Sequence, residues 1–379
     1  MDAQLTAEAG RGVVRDRSRQ ATKRWRENVL LLVASLAITA ALGEVAARLI
    51  LPRPLPWRFP QLSYQPDPNA IFALRPNQRA YSADQPVLIN ARGLRGPLVP
   101  YERTAGWSRV LFLGDSITFG YGVADGEVVT QRVAAIMNEA DVAVEVINTA
   151  VPAYNTEQEV RYLKQEGLRY HPDWVIVGIC WNDIADKSTA QVSEDGWLVL
   201  PGREQTSSLA RLLESEPAYA ARNAIKRSRL VYGALQGWRA LRAPGATDQQ
   251  AQLRADILEG RHSPRVADGW ERLAGALRQL RELSENNGFR PLLVAFPIPL
   301  ALARSYPHSS YPATLKRLAD REGLPLIDLT DAFRGAYHGH ESLFIPYDGD
   351  HPNAAGHALA ARAIARFLTA PTEQTRSDS

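Results

Sequence analysis

From Ser108 onward, short continuous apolar runs alternate with stretches of helical spacing. Val110–Leu113, Val142–Ile147, Trp174–Ile179, Pro291–Phe296 and Pro325–Leu329 are apolar runs of strand length, bounded by Gly, Pro, Asn or Asp. Val128–Glu139, Thr156–Leu168, Thr314–Glu322 and a last segment ending near Leu368 carry helix periodicity between or after them. Asn155 or Thr156 is a natural cap for the second of these. Strands that read as continuous apolar runs, separated by helices, predict a mainly parallel sheet covered on both faces.

The alternation breaks between about Ile184 and Asn287. That stretch predicts a hairpin over Gln191–Leu200 and helices at Leu209–Leu213, Tyr219–Leu241, Thr247–Leu258 and Trp270–Glu285. Its cations (Arg222, Lys226, Arg227, Arg229, Arg239) fit a solvated helix surface. Before the sheet pattern, residues 52–107 form a proline-rich, aromatic spacer and a preamble with strand-like pieces at Ile71–Leu74 and Val87–Ile89. Residues 108–368 are then one domain carrying the 184–287 insertion, and 369–379 are a polar, disordered tail.

A different pattern governs the N-terminus. Val29–Gly43 is a run of 15 apolar or small residues, and helical character continues to Leu51. A bilayer span needs about 20 residues, so 29–51 suffices if Glu44 and Arg48 lie at the far interface. Seven Lys or Arg residues fall between Arg11 and Arg26. Ahead of an apolar helix, they predict a cytoplasmic basic segment, residues 1–28, under the positive-inside rule. A cleaved signal peptide is the rival; the long basic region and the unbroken helical pattern favour an uncleaved single-pass anchor. The expected location is the bacterial inner membrane, with the N-terminus cytoplasmic and the rest periplasmic or otherwise extracytoplasmic.

Composition adds limits. Hydrophobic residues make up 45% and charged residues 22%, which excludes a wholly disordered or fibrous chain. The single cysteine, Cys180, rules out an intramolecular disulfide and a thiolate metal cluster. Phosphate loops and dinucleotide fingerprints are missing, as are nucleic-acid readers, so no cofactor, no metal and no nucleic-acid partner is expected. His338 and His340 share a loop without a defined third ligand and read as polar loop residues.

The candidate chemistry lies at strand ends. Ser116 follows the first run, Asn148 and Ala153 the second, and Asn182 the third; Asp348 and His351 precede the last helix. Strand ends of one parallel sheet converge on one edge, which makes these residues candidate neighbours. By itself Ser116 reads as a nucleophile or as a helix cap. A serine nucleophile needs a base, and His351 stands three positions after Asp348, which would fix its tautomer. Asp350 is less able to reach the ring. The backbone N–H groups of Ser116 and Ala153 and the side-chain amide of Asn182 are three donors for an oxyanion.

Gly114-Asp-Ser-Ile-Thr-Phe-Gly120, Asn182-Asp183 and Asp348-x-x-His351-Pro-Asn353 resemble the blocks of the SGNH, or GDSL, hydrolase superfamily. The resemblance spans about Arg109–Asp183 and Arg290–Leu368. It implies a three-layer α/β/α sandwich with a five-stranded flavodoxin-like parallel sheet. It also implies Ser116 as nucleophile, Asp348 and His351 as the rest of a triad, and Asn182 with a block-two N–H as oxyanion hole. One departure stands out: block two usually carries glycine where this chain has Asn148-Thr-Ala-Val-Pro-Ala153. Alanine keeps the N–H, but not glycine's conformational freedom.

The expected function is a membrane-anchored serine esterase acting on an acetyl or short-chain O-acyl ester carried by a polysaccharide or a lipid. An O-acyltransferase on an extracytoplasmic polysaccharide would use the same triad. A non-catalytic glycan-binding or assembly protein would follow if Ala153 obstructs the oxyanion hole.

Overall fold

Leu111, Val175 and Val177 are completely buried, as strands covered by helices on both faces require. They belong to the two central strands of a sheet in a computed structural model, which describes residues 2–185, 190–199, 215–242, 246–261, 263–302 and 310–370. The elements outside the sheet come first in the chain: hairpins β1 (Tyr64–Asp67) with β2 (Ile71–Leu74), and β3 (Arg79–Ser82) with β4 (Gln85–Leu88). The sheet strands are β5 (Ser108–Leu113), β6 (Val144–Asn148) and β7 (Trp174–Ile179). After the short pair β8 (Gln191–Val192) and β9 (Leu198–Val199) come β10 (Arg290–Ala295) and β11 (Leu326–Asp328).

The sheet order is β11-β10-β7-β5-β6, and every pairing is parallel. Leu111 aligns with Ile147 on one side and Val175 on the other. This is the flavodoxin-like arrangement, and the chain switches direction between β5 and β7. Ligands of such sheets bind at that switch, beyond the carboxyl ends of the strands.

Helices Val129–Glu139 and Ala354–Thr369 pack together over one face. Pro264–Asn287 packs on Thr156–Gln165 and Ser310–Glu322 to cover the other. Leu273, Leu277 and Leu280 of Pro264–Asn287 are buried in the main core, so this helix is the crossover from β7 to β10. The stretch 184–287 therefore contains one element that the sheet itself needs, beginning six residues before the expected Trp270 start. His357 is buried between the first pair of helices, where its Nδ1 accepts the Val129 N–H at 3.1 Å.

The preamble forms a second, smaller core. Leu62, Tyr64, Phe72 and Ile89 pack with Phe119, Val151 and Tyr154, residues of the segments that follow β5 and β6. Tyr154 Oη donates to Phe72 O at 2.5 Å and Gln158 Nε2 to Ala70 O at 2.6 Å, closing the hairpins onto the sheet edge.

At the N-terminus the basic and apolar segments form one helix, Asp2–Ile50. Its part from Lys23 to Ile50, 28 residues, is long and apolar enough to cross a membrane. Such a helix suits a membrane anchor or a signal sequence. The expected helix Tyr219–Leu241 is two, Glu216–Arg227 and Arg229–Arg242, separated at Ser228. The break has a partner: Glu44 accepts from Ser228 Oγ at 2.7 Å and from the N–H groups of Arg229 (3.2 Å) and Leu230 (3.1 Å). A carboxylate there satisfies donors left open at a helix start. Of His338 and His340, expected to share a loop, His338 lies between helices Thr330–Ala336 and His340–Leu343 and His340 begins the second. The expected helix Leu209–Leu213 and the tail from 371 lie outside the described residues.

Candidate active site

β5 ends at Leu113, and Gly114 begins the turn that presents Ser116. A Cβ on Gly114 would lie 2.2 Å from Thr118 Oγ1, so only glycine lets the next helix close over the strand. Asp115 caps that helix, Ser116–Phe119, by accepting the Ile117 N–H at 2.8 Å. Gly120 ends it in the left-handed region, at φ 88°. Arg95, from the preamble, braces the exit. Its guanidinium donates to the carbonyls of Phe119 (3.0 Å), Gly120 (2.7 Å) and Val123 (2.6 Å) and pairs with Asp125. These bonds satisfy carbonyls that a tight turn leaves open.

The second half of the site comes from the loop before the last helix. Asp348 Oδ1 accepts the N–H groups of Asp350 (2.9 Å) and His351 (2.8 Å), which folds the loop back on itself. The same oxygen lies 2.8 Å from His351 Nδ1, and His351 Nε2 lies 2.8 Å from Ser116 Oγ. A continuous chain of hydrogen bonds thus joins Asp348, His351 and Ser116. Tyr121 covers the imidazole, with ring centroids 4.6 Å apart.

The electrostatics suit that chain. Burial works to raise the Asp348 carboxyl, and the hydrogen bond and charge of His351 outweigh it, holding Asp348 below the ordinary carboxylate value. For His351 burial works downward, and the Asp348 bond and charge outweigh it, leaving the imidazole above its ordinary value.

Beyond β7, Asn182 Nδ2 donates to Asp115 Oδ2 at 2.6 Å. Asp183 points the other way: it accepts from Thr156 N (2.9 Å), Thr156 Oγ1 (2.7 Å) and Cys180 N (2.8 Å), locking the β7 exit to the start of Thr156–Gln165. Burial, followed by the charge of Asp115, pushes Asp183 up to about 7.

A family profile described as GDSL-like Lipase/Acylhydrolase matches residues 112–359. The chain belongs to this family. It is an SGNH-type serine hydrolase of acyl esters. No curated protein matches it. Among solved structures it is similar to Axe2, an acetylxylan esterase from Geobacillus stearothermophilus, at 17% identity and TM-score 0.40, covering 70% of this chain and 95% of that one. TesA matches at 12% identity and TM-score 0.41, with 69% and 98% covered. A two-domain esterase active on acetylated mannans, co-crystallised with mannopentaose, matches at 15% and TM-score 0.40, with 70% and 50% covered.

Within this family frame, the sequence-expected residues Ser116, Asp348 and His351 are in hydrogen-bond contact, and Asn182 joins them through Asp115. Ala153 is exposed at φ 71°, in the left-handed region that glycine favours. Asn148 is not in contact with Ser116; it holds its own turn by accepting Ala150 N at 3.2 Å and donating to Thr130 at 3.4 Å. Asp350 turns away to Arg254, at 3.1 Å, and Arg254 also lies over the Trp181 ring, 4.9 Å from its centroid. His340 Nε2 contacts Ile345 O at 2.8 Å. Sequence reasoning did not find Arg95, Tyr121 or Arg254, since a lone arginine or tyrosine, in a turn or on a helix, carries no spacing signal for a distant partner. It did single out the Asp115 and Asp183 positions, without their partners.

Proposed function

We propose that the chain is an extracytoplasmic serine esterase that removes an acetyl or other short O-acyl group through an acyl-enzyme. Ser116 Oγ attacks the ester carbonyl while His351 Nε2 takes its proton, and Asp348 holds the imidazole in the required tautomer. The oxyanion is stabilised by the N–H groups of Ser116 and Ala153 and by the Asn182 amide. His351 then returns the proton to the leaving alkoxide, and water repeats the sequence to free the acid. The observation that carries this reading is the pair of 2.8 Å contacts linking Asp348, His351 and Ser116. Ser116 is partly exposed at the switch point of the sheet, where an ester can approach.

Fluorophosphonate labelling tests the nucleophile: Ser116 is labelled, and the Ser116→Ala chain is not. Equal labelling of both would reject Ser116. Turnover of acetyl and longer acyl esters, with and without a carbohydrate acceptor, tests the reaction. Release of free acid supports hydrolysis, and preferential acylation of the acceptor overturns it.

The apolar helix is proposed as an uncleaved inner-membrane anchor, with the basic end cytoplasmic and the domain periplasmic. Retention of the full chain in membranes after alkaline carbonate washing is the expected result; a shortened, soluble chain overturns the anchor.

A further inference from the structure

The apolar helix ends at a pocket of cations. Arg48, Arg53 and Arg58 approach it from the helix end and the spacer, and Lys226, Arg227 and Arg229 from the inserted helices. Its volume is about 630 Å³, and among the described residues no acidic side chain lines it. Glu44, one helical turn before Arg48, is engaged by Arg48, Ser228 and the N–H groups of Arg229 and Leu230. The pocket is built rather than incidental. Arg229 Nη1 donates to Arg48 O and Leu51 O, both at 2.7 Å, capping the last carbonyls of the apolar helix. Lys226 Nζ donates to Leu55 O at 2.7 Å, and Asn223 brackets Trp57 through that residue's backbone N–H and carbonyl.

We propose that this pocket binds the phosphate of an anionic lipid headgroup in the leaflet where the apolar helix ends. The inference rests on the helix spanning a bilayer, because the pocket then lies at headgroup depth. Three observations single out a lipid. Cations gathered at one place repel one another: burial, then Arg222, pulls Lys226 down to about 8 against the opposing charge of Asp84, and a bound anion offsets the repulsion. Helix Arg229–Arg242 turns Leu230 and Gly233 toward the apolar helix, while Val231, Trp238 and Leu241 are 52%, 50% and 86% exposed. An exposed apolar stripe with a tryptophan, next to basic residues, suits the boundary between headgroups and acyl chains. Trp57 and Phe59 stand exposed beside the pocket at the same end of the helix.

The test is native mass spectrometry of the full chain in a mild non-ionic detergent, titrated with dioleoylphosphatidylglycerol or dioleoylphosphatidylcholine. Retention of phosphatidylglycerol over phosphatidylcholine is the expected result. Arg53, Arg58 and Arg227 are exposed, so the combined R53S, R58S and R227S variant keeps its fold while losing half the pocket's cations. It is expected to hold phosphatidylglycerol about 100-fold more weakly. Equal retention of the two lipids, or unchanged affinity in the variant, overturns the proposal. Displacement of the lipid by an equal concentration of inorganic phosphate would reassign the pocket to a free anion, and preferential binding of a soluble polyuronate to a polysaccharide. No acyl chemistry enters this readout, so its outcome is independent of the esterase reading, and carbonate washing tests the anchor separately.

Discussion

The side chain of Asn182 is held by Asp115: Nδ2 donates to Oδ2 at 2.6 Å, across the switch point between β5 and β7. One amide hydrogen is thereby fixed, and the other is the one that the proposed mechanism gives to the oxyanion. The Asn182 Oδ1 is buried without a hydrogen-bond partner among the described residues, so Asp115 is what orients the group. Asp115 also caps the Ser116 helix through Ile117 N, and so couples the proposed nucleophile to the proposed oxyanion donor.

Asn182→Ala is therefore expected to lower kcat about 100-fold or more, the usual effect of losing one oxyanion donor. Asp115→Asn should lower kcat less, with KM little changed, because the donor remains but is no longer anchored. Steady-state kinetics on a soluble acetyl ester provides the check. An Asn182→Ala enzyme of wild-type kcat would remove Asn182 from the mechanism.

The pH profile reads the state of His351. Catalysis needs the neutral imidazole, and Asp348 holds the imidazole above its ordinary 6.5. Activity is thus expected to fall on acidification with a midpoint above 6.5. Asp348→Asn removes the group that raises His351, so the midpoint should move to lower pH while kcat drops about 10⁴-fold. A midpoint unmoved by Asp348→Asn would mean that another group limits the acid side.

Ala153 carries strain that glycine would relieve. At φ 71° an L-residue costs roughly 1–2 kcal/mol, while glycine loses about 0.5–1 kcal/mol in chain entropy. Ala153→Gly is expected to raise Tm by roughly 1–3 °C, with kcat kept or improved. Thermal unfolding monitored by circular dichroism decides it, and a lower Tm would show that the neighbouring contacts, rather than the backbone, dominate there.

Glu159 is fully buried and neither carboxyl oxygen has a hydrogen-bond partner among the described residues. Burial, then the charges of Asp183 and Asp115, raise it well above its ordinary 4.5. The unfolded chain releases this proton near 4.5 and the folded chain keeps it, so the group lowers stability as pH rises above that value. Glu159→Gln should match the parent in Tm near pH 4 and exceed it at pH 8. A Tm difference that does not grow with pH would contradict this assignment.

Much of the fold was written in local pattern. Apolar runs identified all five sheet strands, because a strand covered on both faces has no polar face to interrupt it. The expectation failed where tertiary contact outranks periodicity. Tyr219–Leu241 reads as one amphipathic helix, yet Glu44, distant in sequence, supplies a cap that ends one helix and starts another at Ser228. Pro264–Asn287 looked like part of an insertion, because helical periodicity does not say which surface a helix covers.

By itself the sequence determined the strand order of chemistry: a serine after the first strand, an asparagine after the third, an aspartate and a histidine before the last helix. It also determined the family, since those blocks are residue types at fixed local spacings. Only the tertiary structure decided which side chains touch. Sheet order puts β5 beside β7, and that adjacency brings Asp115 to Asn182, while Asn148, at the end of β6, holds its own turn. Contacts such as Arg95 with the Phe119–Val123 turn, or Glu44 with Ser228, join residues whose spacing follows no period. Their partners are fixed by three-dimensional packing, and a one-dimensional pattern cannot carry them.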